Sequence, residues 1–182
     1  MMKTRSLVAV VVAGAALLGA AGVAYLTWHG GSKTGLPCQV VADGRTYRLD
    51  REQAANAGVI TTAASAVGLP HHAVTIGIAA ALQESQLHNL TYGDRDSLGL
   101  FQQRPSQGWG TPTQILDPRF AAESFFRALA STDGWAAMSV SDAAQRVQRS
   151  ASPTAYAAWE NEARSLARAT TGELPGALTC SA

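Results

Sequence analysis

Ala73–Leu82, read as Ala-Val-Thr-Ile-Gly-Ile-Ala-Ala-Ala-Leu, constrains the fold more than any other stretch of this chain. It is apolar nearly all round. As a helix it has no face to give to water, so it must lie at the centre of a core with other elements packed about it. Pro70 suits its first turn, and Gly68-Leu69-Pro70 separates it from whatever precedes. Its far end is closed by Gln83-Glu84-Ser85. Glu84 lies four residues after Ala80 and eight after Ile76, so it extends the buried stripe to the rim of the core. Two readings of Glu84 stand at this level. A carboxyl at that rim loses hydration, which raises its pKa and fits it to act as a general acid; alternatively, a glutamate in a last helical turn simply points into water.

The remaining sequence supplies the elements that a central helix needs. Asp50 is an N-cap for a helix from Arg51 to about Val67, with Ala54, Val59, Ile60 and Ala63 facing inward. Asp117-Pro118 opens a third helix carrying Phe120, Phe125, Phe126 and Leu129. Ser141 opens a fourth with Ala144 and Val147, and Pro153 a fifth with Tyr156, Trp159, Ala163 and Leu166. Upstream, residues 40–49 alternate about Asp43-Gly44 and predict a small β-hairpin. The expected architecture is mainly α: a domain over 51–182, a linker and hairpin over 31–50, and a separate N-terminal segment over 1–30.

That N-terminal segment is a targeting signal in its composition. Lys3 and Arg5 precede 22 uncharged residues from Leu7 to Trp28, longer than the usual apolar core of a signal peptide and long enough to span a bilayer. An anchor with the following domain outside the membrane is the preferred expectation, since the cations hold the start on the cytoplasmic side. A cleaved signal, cut near Ala20–Ala24, is the alternative. Both export the domain, to the cell surface or to the medium. In an oxidising compartment Cys38 and Cys180, at the two ends of the domain, are then predicted to form a disulfide.

Composition excludes one class of partner. With 14 Lys plus Arg against 13 Asp plus Glu over 182 residues, and no basic stripe, nothing supplies the phosphate neutralisation that nucleic-acid binding needs. No metal or other cofactor is expected either. Asp94 and Asp96 offer too few oxygens for calcium, and His29, His71, His72 and His88 show no ligand spacing. No nucleophile elbow of the Gly-x-Ser-x-Gly kind is present. His88, four residues beyond Glu84, is placed to contact it across one helical turn.

The loop after Glu84 carries the chemistry. Gly93, Gly99, Gly108 and Gly110 allow sharp turns and close approach. Gln102, Gln103 and Gln107 supply donors and acceptors, while Tyr92, Phe101 and Trp109 supply flat apolar faces on which sugar rings can lie. Asp94, Arg95 and Asp96 read first as an ion-pair and turn network that holds the loop. This is a site for a polar, uncharged polymer such as a glycan.

Glu84-Ser85 followed by Gly99-Leu100-Phe101-Gln102 resembles the Glu-Ser and Gly-Leu-Met-Gln motifs of lytic transglycosylases with the lysozyme-like fold. More closely, Ala81–Gly110 with Ala144-Gln145, Gln148-Arg149-Ser150 and Tyr156–Glu160 resembles the transglycosylase-like domains of exported actinobacterial proteins; the resemblance covers about residues 53–169. It implies that Glu84 is the catalytic acid and that Gln102 binds the MurNAc-GlcNAc strand of peptidoglycan. Ser85, Tyr92, Gly99, Phe101, Gln103, Trp109 and Tyr156 are the further substrate-binding candidates. Gln86 stands where the family often has glycine. The family's later Ala-Tyr-Asn motif is not present as such, with Val147–Ser150 or Tyr156 in its place. With a single glutamate the expected product is an anhydro-sugar, whereas Asp94 or Asp96 reaching the cleft would permit hydrolysis. A wall-binding or scaffolding domain without catalysis is the alternative function.

Overall fold

A computed structural model describes residues 37–150 and 154–181. The expected N-terminal membrane segment lies outside these residues, as does Pro153, the predicted start of the fifth helix. None of the described helices is long and apolar enough to cross a membrane.

The described chain is mainly helical with one small antiparallel sheet. Strands β1 (Cys38–Ala42) and β2 (Arg45–Leu49) form the predicted hairpin about Asp43 and Gly44, both at positive φ. A third strand, β3 (Leu178–Cys180), was not legible in the sequence. It pairs with β1 to give the order β2-β1-β3, and its register sets Cys38 opposite Cys180. The two cysteines are bonded as a disulfide, so the start and end of the described domain are fastened to each other.

Helix α1 (Arg51–Ala66) begins at a capping box in which Asp50 accepts from the Gln53 backbone at 2.8 Å and Gln53 accepts from the Asp50 backbone at 2.9 Å. Helix α2 (His71–Ser85) is the apolar stretch and extends past it; every residue from Ala73 to Leu82 is buried. Its neighbours are α1, α4 (Pro118–Ala130), α5 (Val140–Gln148) and α6 (Glu160–Thr170); the short α3 (Pro112–Ile115) packs on α4. Helix α5 starts at Val140 rather than after Ser141, because Ser139 is the residue whose hydroxyl caps it, accepting from the Asp142 N–H at 3.1 Å. The fifth predicted helix is divided: Ala155–Trp159 is a 3₁₀ turn, and α6 follows.

Gly77 lets α1 and α4 close on the central helix. A Cβ there would meet Phe126 Cζ at 2.7 Å and Ile60 Cγ2 at 3.1 Å. The aromatic core beside it is ordered by ring packing, with Phe125 stacked on Phe101 at 4.8 Å between centroids and edge-on to Phe126 at 5.5 Å.

The inner face of α1 differs from the expected one in an informative way. Gln53 and Asn56 are buried with Ala57, Ile60 and Ala64, whereas Val59 is only half-buried. The two amides have partners at the end of α2. That helix stops in a pair of left-handed residues, Gln86 (φ 55°) and Leu87 (φ 61°), with Leu87 N–H bonded to the Ala81 carbonyl and Gln86 N–H to that of Leu82. The two N–H groups thus close the last carbonyls of the helix over spans of six and four residues, in a left-handed cap built without glycine. Gln53 donates to the Gln86 carbonyl at 2.8 Å and Asn56 to the Leu87 carbonyl at 2.7 Å, so α1 fixes the point at which α2 ends, one turn from Glu84.

Candidate functional site

Glu84 lies in the last turn of α2, half-buried, where the apolar stripe meets the surface. Its Oε1 accepts a 2.7 Å hydrogen bond from the hydroxyl of Tyr156. The Gln148 amide, from the last residue of α5, is a second neutral partner. Burial raises the carboxyl above the ordinary glutamate range, while the Tyr156 and Gln148 bonds pull partly against it by favouring the charged form. The C-terminal end of α2 adds partial negative charge, which also opposes ionisation. Among the described residues no charged group contributes to its titration. The result is one carboxyl shifted toward its protonated form in a neutral shell.

Tyr156 is completely buried, and its phenol is pushed far above its usual range by burial and then by the neighbouring carboxylate. It therefore stays a donor to Glu84 at any ordinary pH. Beside it, Trp159 Nε1 donates to Gln83 Oε1 at 2.8 Å, which fixes the 3₁₀ turn against the same end of α2.

The predicted loop motif is a tight turn closed by a two-way backbone bridge between Leu98 and Gln103, at 2.9 and 3.0 Å. Gly99 (φ 76°) and Gln102 (φ 46°) are left-handed, so Leu100 and Phe101 between them can point into the core, where both are buried. At Gly99 any side chain would strike the Ile115 carbonyl, 2.5 Å from where a Cβ would stand. Two side chains hold the turn by its carbonyls. Ser85 Oγ donates to Leu100 O at 2.7 Å, and Gln148 Nε2 to Phe101 O at 2.9 Å. The turn, α2 and α5 thus meet at Glu84 through Ser85 and Gln148.

These placements revise several expectations. Phe101 and Gln103 are core residues with about 1% exposure; Phe101 stacks on Phe125 and Gln103 Nε2 donates to Ala121 O at 3.0 Å, so neither offers a face to a ligand. Ser85, 2% exposed, is likewise a tether. Gln102 is half-buried and folds back on its own loop, its amide 3.1 Å from the Gly99 carbonyl and 3.3 Å from that of Tyr92. Tyr92 itself is 60% exposed.

His88 does not contact Glu84. The left-handed residues 86 and 87 take the chain off the helix, so four-residue spacing no longer means one face. His88 Nε2 instead bonds Asp50 Oδ2 at 2.8 Å. The ion-pair network of the loop also has a different partner from the expected one. Asp96 bonds Arg104 at 2.6 Å and the Ser106 N–H at 2.8 Å, which hold its carboxyl well below the usual range, while Asp94 is 90% exposed beside Arg95.

A groove of about 590 Å³ opens next to this cluster, lined by Gln107, Trp109 and Thr132 and by Arg146, Gln148 and Arg149 of α5 and its end. Gln148 belongs to both the groove wall and the shell of Glu84. Tyr92 and Gln102 do not line it. Gln148 is the residue that sequence reasoning valued least, entering only within the 147–150 run; its signal was a polar residue following the buried face of an amphipathic helix. Among the described residues no group of three or more His, Cys, Asp or Glu side chains could hold a metal ion. No protein-family model matches the chain, and a comparison with curated proteins finds no match.

Proposed function

We propose that the chain is a peptidoglycan-cleaving glycosidase of the lytic transglycosylase type, with a lysozyme-like domain exported by its N-terminal segment and Glu84 as its single catalytic carboxyl. The observation that carries this reading is the neutral, half-buried shell of Glu84, in which burial raises the carboxyl above the ordinary glutamate range and so favours its protonated form. With Asp96 engaged by Arg104 and Ser106, and Asp94 in solvent, neither candidate for a second carboxylate among the described residues is free to accompany it, which favours the anhydro product over hydrolysis.

In the proposed reaction the protonated Glu84 gives its proton to the glycosidic oxygen as the bond from that oxygen to the anomeric carbon breaks. A hydroxyl of the same sugar then attacks the anomeric carbon, and its proton returns to the Glu84 carboxylate. Tyr156 supports both halves: its hydroxyl orients the carboxyl and stabilises the charge that appears after the first transfer. Trp109 offers a face for a sugar ring at the groove wall.

The test is digestion of purified cell wall. Wild-type protein is expected to release muropeptides with anhydro ends detectable by mass spectrometry, and Glu84→Gln to release none while still folding. Absence of release from wild type at every pH tried would leave the non-catalytic wall-binding reading in its place, and products with reducing ends would make the protein a hydrolase.

A further inference from the structure

The groove beside Glu84 has an electrostatic character that the cleavage of a neutral glycan does not require. Its wall contains two cations, Arg146 and Arg149, and no carboxylate. Among the described residues neither arginine forms an ion pair, in contrast to Arg104 on the loop and Arg119 and Arg127 on α4, although Arg45, Arg48 and Arg51 near the sheet are likewise outside any ion pair. Both side chains are exposed and available to a ligand. The wider cavity of about 800 Å³ that adjoins the groove shares the same two arginines. That cavity, unlike the groove itself, also carries two carboxylates, Asp133 and Asp142, the second of which accepts from the Ser139 hydroxyl at 2.7 Å.

Arg149 sits at a position where its side chain is a cost to the fold. It follows the last residue of α5 in the left-handed region, φ 53° and ψ 37°, with its N–H bonded to the Gln145 carbonyl. Glycine is the residue that ends helices in this conformation without strain. An arginine there gains no partner within the described protein and directs a guanidinium to the rim of a groove next to Gln148.

We propose that this groove takes the carboxylate-bearing peptide substituents of the glycan strand, with Arg146 and Arg149 as their partners. The inference rests on the glycan-strand reading above and names the part of the substrate that the strand's neutral sugars leave unassigned. A strand lying with its scissile bond at Glu84 brings the flanking substituents past Gln148 to the two guanidinium groups. The planar fork of arginine accepts a carboxylate through two parallel N–H bonds, a geometry that a lysine would not supply.

The experiment uses Glu84→Gln protein and two ligands: soluble glycan strands whose peptides keep free carboxylates, and the same strands after carbodiimide amidation. Titration calorimetry is expected to show tighter binding of the free-acid strand, lost at high salt. Arg146→Gln and Arg149→Gly should each weaken that binding by roughly fivefold while leaving the amidated strand unaffected. Arg149→Gly relieves the left-handed strain, so its melting temperature should hold or rise, and weaker binding in it cannot be laid to misfolding. Equal binding of both strands, or equal losses for both in the variants, overturns the inference; if wild-type protein still releases muropeptides, the glycosidase reading survives that result. Failure of either strand to bind, together with no release, overturns both.

Discussion

Removing one oxygen from the site tests whether Glu84 is held as described. In Tyr156→Phe the ring keeps its buried place and only the hydroxyl 2.7 Å from Glu84 Oε1 is lost. A hydrogen bond to a charged group contributes about 1.5–3 kcal/mol, and one between neutral groups about 0.5–1.5 kcal/mol. Because Glu84 keeps some contact with solvent, water can enter the vacated place, so the loss should fall in the lower part of the first range when the glutamate is ionised. For a domain of this size each kcal/mol shifts the melting temperature by about 2–4 °C, which puts the full range at about 3–12 °C.

The penalty must also depend on pH, and its sign is fixed. Tyr156 favours the carboxylate over the acid, so its removal raises the already elevated pKa of Glu84 further. The stability lost in the variant is therefore largest above the wild-type pKa of Glu84 and shrinks toward the neutral hydrogen-bond value as pH falls through it. Urea unfolding followed by tryptophan fluorescence at pH 8 and at pH 4 measures both. If muropeptide release is the activity, the alkaline limb of its rate profile should move to higher pH in the variant, even as the maximal rate falls. Equal destabilisation at the two pH values would refute the charge-assisted bond, and an alkaline limb displaced to lower pH would refute its direction.

Glu84→Gln should stabilise the protein at neutral pH. A carboxyl with a raised folded-state pKa contributes stability that is present below its unfolded pKa and is lost as pH rises through the folded one, so the gain should vanish in acid; thermal melts against pH check this. Cys38→Ser should cost about 2–5 kcal/mol, the upper end reflecting a bridge that spans 142 residues, and a reductant should reproduce the loss in wild type but not in the variant. Gly77→Ala should cost about 1–3 kcal/mol by forcing Phe126 and Ile60 away from α2, measured as a lower urea midpoint at unchanged slope.

What the sequence disclosed, and what it hid, follow from the range over which each signal acts. Local chemistry was readable: Asp50 with Gln53 caps α1, Asp43-Gly44 turns the hairpin, and the all-round apolarity of Ala73–Leu82 placed α2 at the centre. Readings that depended on contacts between distant segments were not. Strand β3 is three residues long and has meaning only beside β1. Gln53 and Asn56 look like solvated positions until the end of α2 is known to need donors. His88 fails as a partner of Glu84 because two non-glycine residues, Gln86 and Leu87, adopt a left-handed conformation that residue type disfavours. The Gly-Leu-Phe-Gln turn was legible as a turn, but which of its residues face inward depended on the core that receives Leu100 and Phe101.

The same distinction explains how the site is built. Each group that touches Glu84, or fixes a group that does, is held by a partner remote in sequence: Tyr156 across 72 residues, Gln148 to Phe101 across 47, Ser85 to Leu100 across 15, and Gln53 to Gln86 across 33. Such a carboxyl is destabilising where it stands, since burial and the helix end both oppose its charge. It stays in place because α2 is buried along its length and capped from α1, so the cost at one residue cannot be relieved by moving the helix. Fraying of the last turn of α2 is the cheapest route by which the protein could hydrate Glu84. Loosening that cap with Asn56→Ala, which frees the Leu87 carbonyl, should therefore lower the Glu84 pKa toward its ordinary value without touching the site itself. Titration of the Glu84 carboxyl by NMR reads this directly, and an unchanged pKa would mean that the side chain is buried by the loop and Tyr156 alone.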